Sequence, residues 1–273
     1  MVPAILRVKE QYAFYEYIVQ QIDILVPHPR KYKVTNSEAL KMILYRLQHA
    51  TPWYSIESPY HYNTFLKRSE LWRNENVFEQ IWKSITTAYG NTSLSHDNYY
   101  FKNIIIDSSM ARNLQAYELI GRNYQDKMKF GTKVSVICDK KGIPISITFY
   151  PSNVHDIKTI DESLSSIPMA IIKNRRFSNN LLGDKGYRSK DKTLELKMTC
   201  QLNLIANHKS NEKNKNNKKE CKLLQKRYRI ENVFARLKQF KRLMFRYDRK
   251  ISTYKSFFFL ASVFLTFSEM NKH

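Results

Sequence analysis

Residues 133–138 (KVSVIC) and 143–149 (IPISITF) place apolar side chains at nearly every second position, with only Asp139-Lys140-Lys141-Gly142 between them. A period of two is the period of a strand, and a short polar connector ending in glycine is a hairpin signal. Two strands alone are marginal in water, so this hairpin needs further strands or a covering helix. The chain offers three. Residues 103–106 (NIII) form a short apolar strand ending in Asp107, Leu181-Leu182 opens into the turn Gly183-Asp184-Lys185-Gly186, and residues 202–206 (LNLIA) make another run. Residues 156–167 and 189–198 between them fit helices. The order strand, hairpin, helix, strand, helix, strand, helix predicts a mixed α/β domain with both strand directions.

Ahead of this lies a different pattern. Tyr12, Tyr15, Ile18, Val19 and Ile22 recur at helical steps until Val26-Pro27-His28-Pro29 ends the segment. Thr35 to Glu38 fits a capping box before a second helix, and Tyr62 to Trp72 and Asn76 to Ile85 supply two more. Residues 1–95 therefore read as a small all-helical domain of helix-turn-helix character, with Tyr62, Lys67, Arg68 and Arg73 as candidate DNA contacts. The polar run 90–98 (GNTSLSHDN) reads as the linker to a second domain, 96–273.

Forty-six Lys+Arg against 24 Asp+Glu give a net charge of +22, which favours a polyanionic partner, nucleic acid first. Residues 207–250 hold 16 Lys/Arg and four Asp/Glu, so more than half of that excess lies in one stretch. Within it, residues 208–220 (HKSNEKNKNNKKE) read as a charged, low-complexity loop. Three cysteines without C-x-x-C spacing give neither a disulfide framework nor a zinc module. The most apolar run, 256–267, is shorter than the roughly 20 residues a membrane span needs. No secretory signal is apparent, so the expectation is a cytoplasmic protein with no membrane partner.

Residues 222–246 (KLLQKRYRIENVFARLKQFKRLMFR) read as one amphipathic helix. Ile230, Val233, Leu237, Phe240 and Met244 form its apolar stripe, and Arg227, Glu231 and Lys238 a second stripe well away from it. Asp107 and Asp184 at strand ends could project towards a common point over a sheet edge, with Glu231 approaching from a packed helix. Three hard oxygen donors without a His/Cys cluster suit Mg²⁺ or Mn²⁺. Each acid taken alone is equally a cap or an ion-pair partner.

Five motifs in order change that balance. Ile104-Ile105-Ile106-Asp107-Ser108-Ser109, Gly121-Arg122-Asn123 with Gly131-Thr132-Lys133-Val134, Pro151-Ser152-Asn153-Val154-His155-Asp156, Leu182-Gly183-Asp184-Lys185-Gly186-Tyr187, and Arg227-Tyr228-Arg229-Ile230-Glu231-Asn232 through Lys238 together resemble the DDE transposases of the insertion-sequence-five group. The resemblance spans about residues 15 to 267. It implies an RNase H-like catalytic domain in which Asp107, Asp184 and Glu231 hold two Mg²⁺ or Mn²⁺ ions. It also implies that Arg227 and Lys238 contact DNA phosphate, with Lys185 as a further DNA contact. His155 and Asp156 stay open, since Asp156 is equally a helix N-cap. The implied activity is cleavage of double-stranded DNA at element ends and strand transfer into a target, by a homodimer or larger assembly in a bacterial cytoplasm. The alternatives are a nuclease of the same fold and an inactive or domesticated copy acting as a DNA-binding regulator. One departure stands out: Leu224 occupies a position where the family often has tyrosine, on the stripe expected to carry Glu231.

Overall fold

The computed structural model describes residues 8–27, 33–96, 101–124, 126–172, 179–208 and 215–270. The chain opens with four helices, α1 Val8–Leu25, α2 Asn36–His49, α3 Tyr62–Asn74 and α4 Val77–His96. The capping box at α2 forms as the sequence predicts. The Glu38 N–H donates to Thr35 Oγ1 at 3.1 Å, and the Thr35 N–H donates to Glu38 Oε2 at 2.8 Å. The expected linker does not form: α4 continues through Gly90 to His96, and residues 97 and 98 lie outside the described residues. Gly90 is a helix breaker by propensity, but a Cβ there would lie 2.8 Å from Ile171 Cγ1. The glycine allows a close approach to the helix, and packing overrides propensity.

The strands follow as β1 Asn103–Asn113, β2 Gly121–Asn123, β3 Lys129–Cys138 and β4 Pro144–Pro151. Next come α5 Ile160–Ser165, α6 Met169–Ile172, β5 Asn180–Gly183, α7 Lys190–Cys200 and β6 Asn203–Ala206. β3 pairs antiparallel with β1 on one side and with β4 and the short β2 on the other, while β5 pairs parallel with both β1 and β6. The main order β4–β3–β1–β5–β6, antiparallel at one end and parallel at the other, is the mixed sheet expected of an RNase H-like domain. The predicted hairpin is β3–β4, closed by the Gly142 N–H donating to the Asp139 carbonyl. β1 is longer than its apolar run suggested. Antiparallel pairing with β3 carries it past Asp107, which lies opposite Val136.

The basic segment is not one helix. It divides into α8 Lys218–Leu224, a 3₁₀ turn Gln225–Arg227, α9 Tyr228–Leu237 and α10 Lys241–Met244. Helix begins at Lys218, inside the run expected to be a loop, because Asn217 and Glu220 form a second capping box. Residues 209–214 lie outside the described residues. Three residues in 3₁₀ geometry turn about 120° each instead of 100°, so the face after Arg227 is rotated by roughly 60°. Leu224 is buried while Glu231 is exposed. Phe240 adopts an extended conformation, which breaks the stripe a second time and leaves Met244 exposed. The chain ends in α11 Ile251–Met270.

Two compact units result. The first comprises Met1–Ile85, Leu114–Glu118 and Arg236–His273, and the second Thr86–Asn113 and Leu119–Ala235. In the first, α11 is the core helix. Phe264 and Phe267 each lie 4.4 Å from the Phe14 ring, and Phe259 lies 5.3 Å from Trp82. α11 is long and apolar enough to cross a membrane by length and composition, yet 67% of its most apolar window is buried in the protein. Its first N–H is capped by Glu118 Oε2 at 2.7 Å. In the second unit, buried hydroxyls of Ser135, Thr148 and Ser163 tie α5 to the hairpin, and Tyr89 of α4 donates to Asp139 at its turn.

Candidate active site

Asp107 and Asp184 meet because their strands are neighbours in parallel register. β1 and β5 pair Asn103 with Asn180, Ile104 with Leu181 and Ile105 with Leu182. Two residues beyond this ladder stand Asp107, still within β1, and Asp184, the first residue past β5. Parallel neighbours lie about 4.8 Å apart, and residues two apart share a face. The two carboxylates are near neighbours just past the parallel ladder, close enough for the Asp184 charge to act on Asp107. Asp184 leaves its strand as the cap of the 3₁₀ turn Lys185–Tyr187, with Oδ1 accepting the Gly186 N–H at 2.6 Å. Tyr187 is fully buried and packs beneath this turn.

Asp107 is held from two directions. Its Oδ1 accepts the Ser108 N–H at 2.8 Å, and its Oδ2 lies 3.3 Å from Arg227 Nη2. Burial pushes its carboxyl up to about 6, opposed by the Ser108 N–H and Arg227 and reinforced by the negative charges of Asp184 and Asp156. The third of these acids is the one the sequence left open. Asp156 makes no side-chain cap to the 3₁₀ turn it begins, and the N-cap position there belongs to His155. Its Oδ1 instead accepts Ser108 Oγ at 2.7 Å and Lys133 Nζ at 2.6 Å. Alternation along the strands puts Ser108 and Lys133 on the face of the sheet opposite Asp107. The only sequence signal for this role was the position of Asp156 within its motif.

Glu231 stands in the first turn of α9, one turn beyond Arg227, and is exposed. Among the described residues, no three of His, Cys, Asp and Glu gather closely enough to hold a metal ion. What the structure brings together is the pair Asp107 and Asp184, with Arg227 as counter-charge and Asp156 behind them. Lys185 is exposed on the turn next to Asp184, and Lys238 is exposed one residue past the end of α9. On α3, Lys67 is exposed. Arg68 requires correction as a DNA contact: it is 6% exposed, and its guanidinium donates to Asn36 Oδ1 and the Val34 carbonyl. Asn36 in turn donates to Asp23 Oδ1 at 2.6 Å, so the cation is used to join three helices. Arg73 donates to Thr253 Oγ1 and Asn74 Oδ1.

Residues 102–265 match the transposase DDE domain family, which is more than half of the chain. The chain belongs to the DDE transposase family. Among solved structures, it is similar to a chain of the piggyBac transposase synaptic complex with hairpin DNA, at 14% identity and a TM-score of 0.36. That match covers 78% of this chain and 45% of the other, so the chain spans less than half the length of that relative. No curated protein matches it.

A divalent ion fits the donors of this site in type. Two hard carboxylates are set side by side, and one of them is already raised by burial and like charge.

Proposed function

We propose that this DDE transposase, of the insertion-sequence-five group, cuts DNA at the ends of a mobile element and joins the freed 3′-hydroxyl to target DNA. The observation that carries this reading is the parallel ladder of β1 and β5, which brings Asp107 and Asp184 close enough for their charges to act on each other, within a chain of this family. Asp107 and Asp184 would hold Mg²⁺ or Mn²⁺, two ions in all, and Glu231 is the third acid of the set. Its support is Arg227, four residues earlier on the same segment, which touches Asp107. The ions, when bound, activate a water or 3′-hydroxyl and stabilise the departing oxygen at the phosphodiester.

The chain's own groups prepare that step. The Ser108 N–H fixes Asp107 Oδ1, and the Gly186 N–H fixes Asp184 Oδ1, so neither carboxylate has to be ordered when DNA arrives. Arg227 carries the counter-charge that Asp107 now uses; with cations at the carboxylates, its guanidinium serves the scissile phosphate. Lys238, Lys185 and Lys67, all exposed, serve as phosphate contacts, and helices α1–α4 as the element-end reader. The DNA is double-stranded, and two ends must be held together, so the working form is a homodimer or larger.

The test uses DNA bearing the sequences that flank the reading frame. Wild type nicks it at the element ends in Mg²⁺, and Asp184→Asn abolishes nicking while DNA affinity stays within about threefold. Equal cleavage by wild type and the triple variant Asp107→Asn/Asp184→Asn/Glu231→Gln would sink the assignment. A protein that binds these ends and never cleaves them with any divalent ion is a regulator instead.

A further inference from the structure

Asp156 uses its two oxygens differently. Oδ1 is fully engaged by Ser108 Oγ and Lys133 Nζ, and Lys133 is itself fixed by a 2.6 Å hydrogen bond to the Val154 carbonyl. An ordinary ion pair is complete with that oxygen alone. Oδ2 points the other way, towards the turn that carries Asp184. A Cβ on Gly186 would sit 2.8 Å from Asp156 Oδ2 and 2.9 Å from Asp184 Oδ1. The two carboxylates thus converge on the space a Cβ of residue 186 would fill, and the absence of a side chain there is what lets them. Bringing like charges together costs free energy, and a cation beside them offsets that cost.

We propose that Asp156 is a positioning residue of the divalent-cation site, supplying a third negative charge behind Asp184 without ligating the ion. Lys133 sets the strength of that charge by offsetting part of it, and Ser108 couples it to the strand that carries Asp107. The proposal rests on the reading of Asp107 and Asp184 as the ligands. It differs from a structural ion pair in one consequence. In a structural pair, removal of either partner does the same damage. Here the two partners act on the cation with opposite signs.

The experiment is titration of the full-length protein with Mn²⁺, read from the electron paramagnetic resonance of the free ion, with urea midpoints measured without metal. Asp156→Asn, which keeps the shape and removes the charge, weakens Mn²⁺ binding by about 10- to 100-fold, the usual scale for groups behind metal ligands. Lys133→Met, which removes the offsetting charge, tightens binding. Unchanged binding in Asp156→Asn overturns the proposal, and so does equal weakening by both variants. Should Asp156→Asn fail to fold, Lys133→Met decides alone: binding tighter than wild type supports the proposal, and binding equal or weaker overturns it. Wild type that binds no Mn²⁺ brings down the assignment of Asp107 and Asp184, and this proposal with it.

Discussion

Two arginine–aspartate pairs in this chain use the same chemistry in opposite settings. In the second unit, Arg227 meets Asp107 at 3.3 Å, with side chains 16% and 21% exposed, and further carboxylates stand nearby. In the first unit, Arg242 meets Asp248 at 2.5 Å with both side chains nearly inaccessible, and the surplus is of the other sign. The Arg246 Nε donates to the Asp248 carbonyl, its guanidinium lies over Tyr254, and that of Arg242 over Phe257. Arg46 feels the crowding: burial lowers its guanidinium to about 9, and Arg242 adds to the effect. A closed pair among surplus arginines and aromatic rings has only a structural role. An open pair beside further carboxylates is poised to exchange its arginine for another cation.

The largest effect expected from that contrast is on stability. Asp248→Ala strands a buried guanidinium and costs about 3–5 kcal/mol in urea unfolding. Asp107→Asn removes a carboxylate that burial and like charge already disfavour, so stability stays the same or rises while cleavage is lost. Equal destabilisation by the two would erase the distinction.

A smaller effect separates the two units by pH. Burial pushes Asp139 up to about 6, as it does Asp107, so the folded chain binds these protons more tightly than the unfolded chain. Stability therefore falls as pH rises from the ordinary aspartate range to about 6, and is flat above. The Asp139 share, roughly 3 kcal/mol for a rise of this size, disappears in Asp139→Asn. A pH profile that Asp139→Asn leaves unaltered refutes its cause.

The smallest effect compares neighbours on α3. Arg68→Ala costs about 2 kcal/mol of stability because Asn36 and the Val34 carbonyl lose their donor. Lys67→Ala leaves stability within about 0.5 kcal/mol and lowers the salt slope of DNA binding by roughly one counterion. The reverse pattern would return Arg68 to the DNA surface.

The hairpin, the capping box and Asp184 at the end of its strand were readable from sequence because period-two patterning and cap chemistry are local, whereas Asp107 lies inside β1 because β3 extends that strand by pairing. The breaks at residues 225–227 and at Phe240 were not, since an apolar stripe at three- and four-residue steps looks the same across a 3₁₀ turn. Arg68 and Lys67 are adjacent cations in sequence, and only Asn36, 32 residues away, decides which one is inside. Asp156 was ambiguous for a related reason. An aspartate before a helix resembles a cap until Ser108 and Lys133, from other strands, are seen to occupy it.

The division of the chain also sets an order of events during synthesis. The sheet unit is closed by Ala235, so every strand it needs has been made before the last helix is translated. The other unit must wait, because Phe14 and Trp82 pack against rings that α11 carries. On the ribosome the part made first is therefore completed after the sheet unit, and its apolar helices stay without their core until α11 has been made, an interval in which such a chain is open to aggregation.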